Sequence, residues 1–157
     1  MAPMGVAEAP LRSFEDFYRA QHEPMLRLAY LLTQSRAAAE DLVQDSFLRV
    51  QPHWGSLDTP GAYLRRTVTN ACYSWHRRRR REEALAVHPP EPGEPEHDEM
   101  WDALATLVPR RRAALVLRYY LDLSEAEIAD ALGCRPGTVK SLTHRGLADL
   151  RKVLDHD

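Results

Sequence analysis

The sequence predicts an all-α fold of two small helical domains joined by a flexible Pro/Glu-rich linker, the second domain ending in a helix-turn-helix. Three observations carry that expectation. Apolar residues recur at spacings of three and four through most of the chain, the period of amphipathic helices. Residues 84–98, ALAVHPPEPGEPEHD, break the pattern with Pro-Pro, Pro-Gly and four carboxylates, a stretch stiffened by proline and extended by like charge. Residues 124–151, SEAEIADALGCRPGTVKSLTHRGLADLR, place turn and apolar residues at the offsets of two helices joined by a tight turn.

A chain of 157 residues with 44% hydrophobic content is long enough to bury cores in two such domains. Its formal charge of -2 argues against a nucleic-acid partner only until it is divided along the chain. Residues 1–87 hold 12 Arg against 10 acids, residues 88–100 hold 5 acids and no base, and residues 101–157 hold 9 Lys and Arg against 8 acids. Overall balance thus conceals local basic surface. Cys72 and Cys134 lie far apart outside any C-x-x-C pair, and the seven histidines miss ligand spacings, so no disulfide framework, metal or other cofactor is expected. The opening MAPMGVAEAP has neither a basic n-region nor a sustained apolar core, and no run approaches the roughly 20 apolar residues of a membrane span. A cytoplasmic protein without membrane insertion is the expectation.

Residues 1–12 read as a flexible tail. From Ser13, with Asp16 in the first turn, Phe14, Phe17 and Tyr18 supply an aromatic helix face. A second helix is expected over about residues 23–33, where Met25, Leu26, Leu28, Ala29, Leu31 and Leu32 are too apolar for a largely exposed helix and mark the centre of the N-terminal core. Ser35 caps a third, RAAAEDLVQDSFLRVQPHW, with Ala39, Leu42, Val43, Phe47 and Val50 inward and Glu40, Asp41, Gln44, Asp45, Leu48 and Arg49 outward. Taken alone, that acidic face reads most simply as a solvated side with Asp45 and Arg49 paired at i,i+4.

Residues 51–61, QPHWGSLDTPG, carry loop chemistry. Thr59 or Pro60 opens a fourth helix, AYLRRTVTNACYSWHRRRRR, whose inward stripe is Leu64, Val68, Ala71 and Trp75. Arg65, Arg66, Thr69, Asn70, Tyr73 and Arg77 lie to the sides or outward, and Arg77 to Arg81 run unbroken. A basic helix end completing its macrodipole accounts for one or two arginines; five, interleaved with Tyr and Trp, favour a polyanion with unpaired bases to stack. Beyond the linker, Met100, Trp101, Leu104, Leu107 and Val108 form a short helix ending before Pro109, and residues 110–121 form another with a broad apolar surface.

In the helix-turn-helix, Ser124 and Glu127 make a capping box, Ile128, Ala131 and Leu132 point inward, and Gly133 stands where the turn needs positive φ. Pro136 suits the first position of the second helix. Val139, Leu142, Gly146, Leu147 and Leu150 form its buried face; Arg135, Thr138, Lys140, Ser141, His144 and Arg145 form a donor-rich face suited to phosphates and base edges in a major groove. The simpler alternative is two packed helices with a solvated side.

Three strings together resemble a bacterial RNA polymerase sigma factor of the extracytoplasmic-function type: AAAEDLVQDSFLRV, AYLRRTVTNACYSWHRRRRR and LVPRRRAALVLRYYLDLSEAEIADALGCRPGTVKS. The starts FEDFYRAQ and LAYLLT are similar to the actinobacterial sigma-E-like subgroup. The resemblance implies sigma region 2 over residues 13–83, the linker over 84–98 and sigma region 4 over 99–157. It further implies that Asp41, Gln44, Asp45 and Leu48 dock on the clamp of the polymerase's largest subunit, with the flap as a second contact of the core enzyme. Trp54, Ser56 and the loop to Ala62, with Asn70, would receive a base flipped from the minus-ten element. Arg65, Arg66, Tyr73, Arg77 and Arg78 would follow the melted strand, and Trp75 stays open between core and strand. Arg135, Pro136, Thr138, Lys140, Ser141, His144 and Arg145 would read the minus-thirty-five duplex. A cognate anti-sigma factor is a further implied partner, and catalysis would belong to the polymerase.

Three positions depart from the family pattern. Gln34 stands where the subgroup usually has Gly, Thr69 replaces an Arg before Asn70, and Arg135 replaces a capping Ser. Two rivals are weighed on the same residues. A free-standing helix-turn-helix regulator would use residues 124–151 but leave the arginine-rich and acidic helices idle. A nuclease needs converging carboxylates, and Glu40, Asp41 and Asp45 sit on one helix without a second cluster.

Overall fold

The computed structural model describes residues 13–85 and 98–155, and every regular element among them is helical. Helix α1 runs Phe14–Thr33, capped by the Ser13 hydroxyl, which accepts from the Asp16 N–H at 3.1 Å. It is one helix where the sequence predicts two, and Pro24 lies inside it. An interior proline removes one ladder hydrogen bond and costs about 3 kcal/mol. Here Phe17, Met25, Leu28, Ala29 and Leu32 form one buried stripe through the site, so packing on both sides of Pro24 offsets the loss. The helix ends at Gln34, left-handed at φ 61°, with its N–H donating to the Tyr30 carbonyl.

Helix α2, Arg36–Val50, starts at the buried Ser35, whose hydroxyl accepts from the Ala38 N–H. The five expected inward residues are buried, joined by Ser46, which donates to the Leu42 carbonyl at 2.7 Å. The sequence carries this helix to Trp54; the structure ends it at Val50 and tightens Gln51–Ser56 into a 3-10 turn. Pro52 is the cause, since it has no N–H to continue the α ladder. Helix α3, Pro60–Leu85, buries Leu64, Val68 and Cys72 against α1 and α2.

In the C-terminal half, α4 spans Glu99–Ala105 with Asp98 as its cap, and α5, Pro109–Leu115, runs directly into a π-helical turn, Val116–Tyr120. Helix α6, Glu125–Leu132, and α7, Pro136–Leu154, form the expected helix-turn-helix. Both capping-box bonds are present at 3.1 Å, and Gly133 adopts φ 66°. Gly146 lets α7 lie close on α5: a Cβ there would sit 3.0 Å from Leu115 Cδ1.

The buried residues of α1–α3 merge with those of α5 and α6 and with Val139 into one continuous apolar cluster. A second, smaller cluster of Ala103, Leu104, Leu107, Leu115 and Leu150 lies within the C-terminal half. Of the predicted 84–98 linker, residues 84 and 85 extend α3 and Asp98 caps α4; residues 86–97, like the predicted 1–12 tail, lie outside the described residues.

Candidate nucleic-acid interface

On α2, the face opposite the core presents Asp41, Gln44, Asp45 and Leu48, all exposed, with Leu48 at 55%. The expected Asp45–Arg49 pair does not form; the α2 pair at i,i+4 is Arg36 with Glu40, at 3.8 Å. Leu48 is thus an apolar side chain left open among acids.

On α3, Arg66, Asn70 and Arg77 recur four and seven residues apart, so they align along one exposed face, with Arg78 beside them. Several expected neighbours are placed differently. Trp54 packs into the aromatic core, its ring 4.9 Å from Phe17 and 5.8 Å from Phe14, so it supports the loop from beneath. Ser56 is exposed and donates to the His53 carbonyl at 2.9 Å. Thr69, read as lateral, is fully buried, because α3 turns Thr69 and Cys72 inward together with Val68; its hydroxyl donates to the Arg65 carbonyl. Trp75 is half-buried and carries the Arg79 guanidinium 5.1 Å over its ring. Tyr73 is half-buried with a hydroxyl that is sealed from solvent and has no hydrogen-bond partner, and burial raises its pKa well above the usual phenol value. Leaving such a group unsatisfied costs about 1–3 kcal/mol.

On α7, Arg135, Pro136, Thr138, Lys140, Ser141, His144 and Arg145 are all exposed while Val139, Gly146 and Leu150 face the core. Thr138, Ser141 and Arg145 fall at i, i+3 and i+7, one face of the helix. Arg135 supplies no side-chain cap, and Lys140 lies 3.9 Å from Glu125.

Two residues escaped the sequence reading. Arg112, 6% exposed, donates to Leu104, Ala105 and Leu107 carbonyls at the end of α4 and, at 2.7 Å, to the Leu32 carbonyl at the end of α1. Both helix ends carry partial negative charge on orphan carbonyls, which is what a buried cation without a carboxylate requires. Its one sequence signal is an arginine three and four residues before Leu115 and Val116, on an apolar stripe. His76 Nε2 bonds the same Leu32 oxygen at 2.7 Å; burial, then the charge of Arg112, holds its pKa below the usual histidine value. Glu127, beyond its capping role, lies 3.7 Å from Arg65 of α3. Its bonds to Ser124 lower its pKa below the usual carboxylate value.

Burial pushes the Cys72 thiol up to about 12, so it is a packing residue and not a nucleophile. Among the described residues no three His, Cys, Asp or Glu side chains converge as a metal site, and no helix is long and apolar enough to cross a membrane.

Residues 17–82 match the sigma-70 region 2 family and residues 97–150 match sigma-70 region 4. The chain is 35% identical to an RNA polymerase sigma-E factor of Streptomyces coelicolor, over 90% of this chain and 85% of that one. It is 32% identical to the ECF RNA polymerase sigma factor SigM of Mycobacterium tuberculosis, over 92% and 78%. Its fold matches the sigma factor RpoE of Bartonella quintana, solved with the anti-sigma factor NepR, with a TM-score of 0.75 at 27% identity over 92% of this chain and 98% of that one. With regions 2 and 4 in order on one all-α chain, the protein belongs to the bacterial RNA polymerase sigma factors of the extracytoplasmic-function type, which direct transcription initiation.

Proposed function

We propose the following division of labour within this sigma factor. The Asp41, Gln44, Asp45 and Leu48 face of α2 docks on the largest-subunit clamp of core RNA polymerase. The exposed α3 stripe of Arg66, Asn70 and Arg77, with Arg65, Arg78 and the Ser56 loop, takes the non-template strand of the minus-ten element. Tyr73 joins that surface once its cover is removed. Helix α7 enters the major groove at the minus-thirty-five element through Arg135, Thr138, Ser141 and Arg145, flanked by Lys140 and His144. The observation that carries this reading is the alignment of Arg66, Asn70 and Arg77 on one open helix face, where phosphate neutralisation and base contact can act together.

The flap of the core enzyme has an apolar place to dock in the groove of Met100, Leu104, Tyr119, Tyr120 and Leu147. An anti-sigma protein, as in the Bartonella complex, is a further partner of this chain. Bond-making belongs to the polymerase, and the work is done in the cytoplasm.

A free-standing regulator would need only α6 and α7. Replacing Arg77 to Arg81 by Ala weakens promoter opening more than core binding, whereas Asp45→Arg with Leu48→Ala does the reverse. Permanganate footprinting beside a core-binding assay reads both. Equal loss of the two activities in both variants overturns the division of labour.

A further inference from the structure

Where α5 packs on α3, an open cleft of about 500 Å³ has Tyr73, Arg77 and Arg80 of α3 on one side and Pro109 and Arg110 of α5 on the other, with Leu132 of α6 beside them. Pro109, Arg110 and Leu132 have no part in the strand contacts proposed above. We propose that this cleft binds a nucleoside polyphosphate, with its phosphates on Arg77, Arg80 and Arg110 and its base against Tyr73, Pro109 and Leu132.

The cations converge from two helices. Tyr73, Arg77 and Arg80 stand at i, i+4 and i+7, which puts them on one face of α3, and Arg110 meets that face from α5. Among the described residues no carboxylate lines the cleft, and none of the three guanidiniums has a carboxylate partner; Arg77 donates to Ser74 Oγ at 3.4 Å, on its own helix. All three are exposed, so their side chains are free to turn onto a ligand. A cleft lined by one sign of charge concentrates the opposite ion, and phosphate oxygens accept from guanidinium in short, charge-assisted bonds. Neighbouring groups feel this field. After burial, the charges of Arg112, Arg80 and Arg79 hold the His76 pKa down, and Arg110 opposes the rise that burial imposes on Tyr73.

Size and lining favour a nucleotide over a lone phosphate. The cleft falls within the roughly 300–1,000 Å³ of small-molecule sites, and inorganic phosphate would leave most of it empty. Tyr73, Pro109 and Leu132 offer a flat base the apolar contact that a phosphate cannot use. The Tyr73 hydroxyl has no hydrogen-bond partner, so bonding a polar atom of the ligand costs it no existing bond. The substrates of the core enzyme belong to this chemical class. Because Arg77 and Tyr73 also belong to the proposed strand surface, bound nucleotide and promoter strand compete for them.

Isothermal titration calorimetry of the full chain in low-salt, magnesium-free buffer tests the site with ATP, inorganic tripolyphosphate and adenosine. ATP is expected to bind at one per chain, about fivefold or more tightly than tripolyphosphate, which lacks a base to stack. Adenosine, without phosphates, is expected to bind about tenfold or more weakly than ATP. Arg80→Gln with Arg110→Gln is expected to weaken ATP about tenfold or more by removing two of the phosphate donors. Arg49→Gln with Arg151→Gln, the same charge change on exposed arginines of α2 and α7 outside the cleft, is expected to alter ATP binding less than about twofold. Circular dichroism confirms helix content, and Arg110→Gln alone carries the test if the double variant fails to fold. Equal binding of tripolyphosphate and ATP, equal weakening by the control pair, or no binding of ATP overturns the nucleotide site. With no DNA in the cell, each of these outcomes is independent of the strand-binding reading.

Discussion

The Arg112 guanidinium donates to the carbonyl of Leu32, 2.7 Å away and 80 positions earlier in the chain, and through that bond the last turn of α1 is tied to the last turn of α4. His76 of α3 closes on the same oxygen, so a single carbonyl gathers three helices. Gln34, two residues on, adds its own bond to Trp101. The junction of the two DNA-binding halves is therefore made of backbone carbonyls and donors, a polar knot inside an apolar cluster.

Arg112→Met is expected to destabilise the chain by about 3 kcal/mol, since it takes the guanidinium from four carbonyls, of which Leu32 keeps His76 and Leu104 keeps the Leu107 N–H while those of Ala105 and Leu107 lose the donor that a methionine cannot replace. Urea denaturation followed by far-UV circular dichroism measures it. A loss below about 1 kcal/mol would mean that water replaces the guanidinium and that the knot is not structural.

Stability should fall with acidification through His76. Its folded pKa is depressed from the usual 6.5 by burial and by Arg112, Arg80 and Arg79, so the unfolded chain binds the proton first. The sign follows: this contribution is complete above the ordinary pKa and is lost as pH falls below it toward the folded value. Comparing melting temperatures near pH 7.5 and 5.5, about one unit either side of that pKa, should show a steeper drop for the unaltered chain than for His76→Gln, which can still donate to Leu32. Equal drops would place the pH sensitivity on other groups.

Arg135→Ser should separate folding from recognition. Position 135 precedes α7 in extended geometry and supplies no side-chain cap, so serine is expected to add about 1 kcal/mol of stability. The same change removes an exposed cation from the end of α7 proposed to face the duplex, so affinity for minus-thirty-five duplex is expected to fall and its salt dependence to flatten by about one phosphate contact. Thermal melts and a salt titration of duplex binding check the two halves. A rise in both stability and affinity would take Arg135 out of the interface.

The local grammar of this chain was legible in its residues. Ser13, Ser35, the Ser124–Glu127 box, Gly133 and Pro136 each start or stop a helix where the sequence predicts, because caps and turn residues act on backbone groups within one turn of themselves. The open faces of α2 and α7 were legible for the same reason, as helical period alone sorts inward from outward on a helix packed along one side. The substitution of Gln for Gly at position 34 was visible too, but its use was not: the left-handed turn it accepts lets its amide reach Trp101, 67 positions away. What only the tertiary structure decided are the contacts of high sequence separation. Packing on both flanks carries α1 through Pro24, the aromatic core draws in Trp54, and the ends of α1 and α4 converge on Arg112. None of these has a local period, because a side chain's burial is set by everything that meets it across the fold. The pairing of Glu127 with Arg65 belongs to that second kind, because it joins residues 62 positions apart.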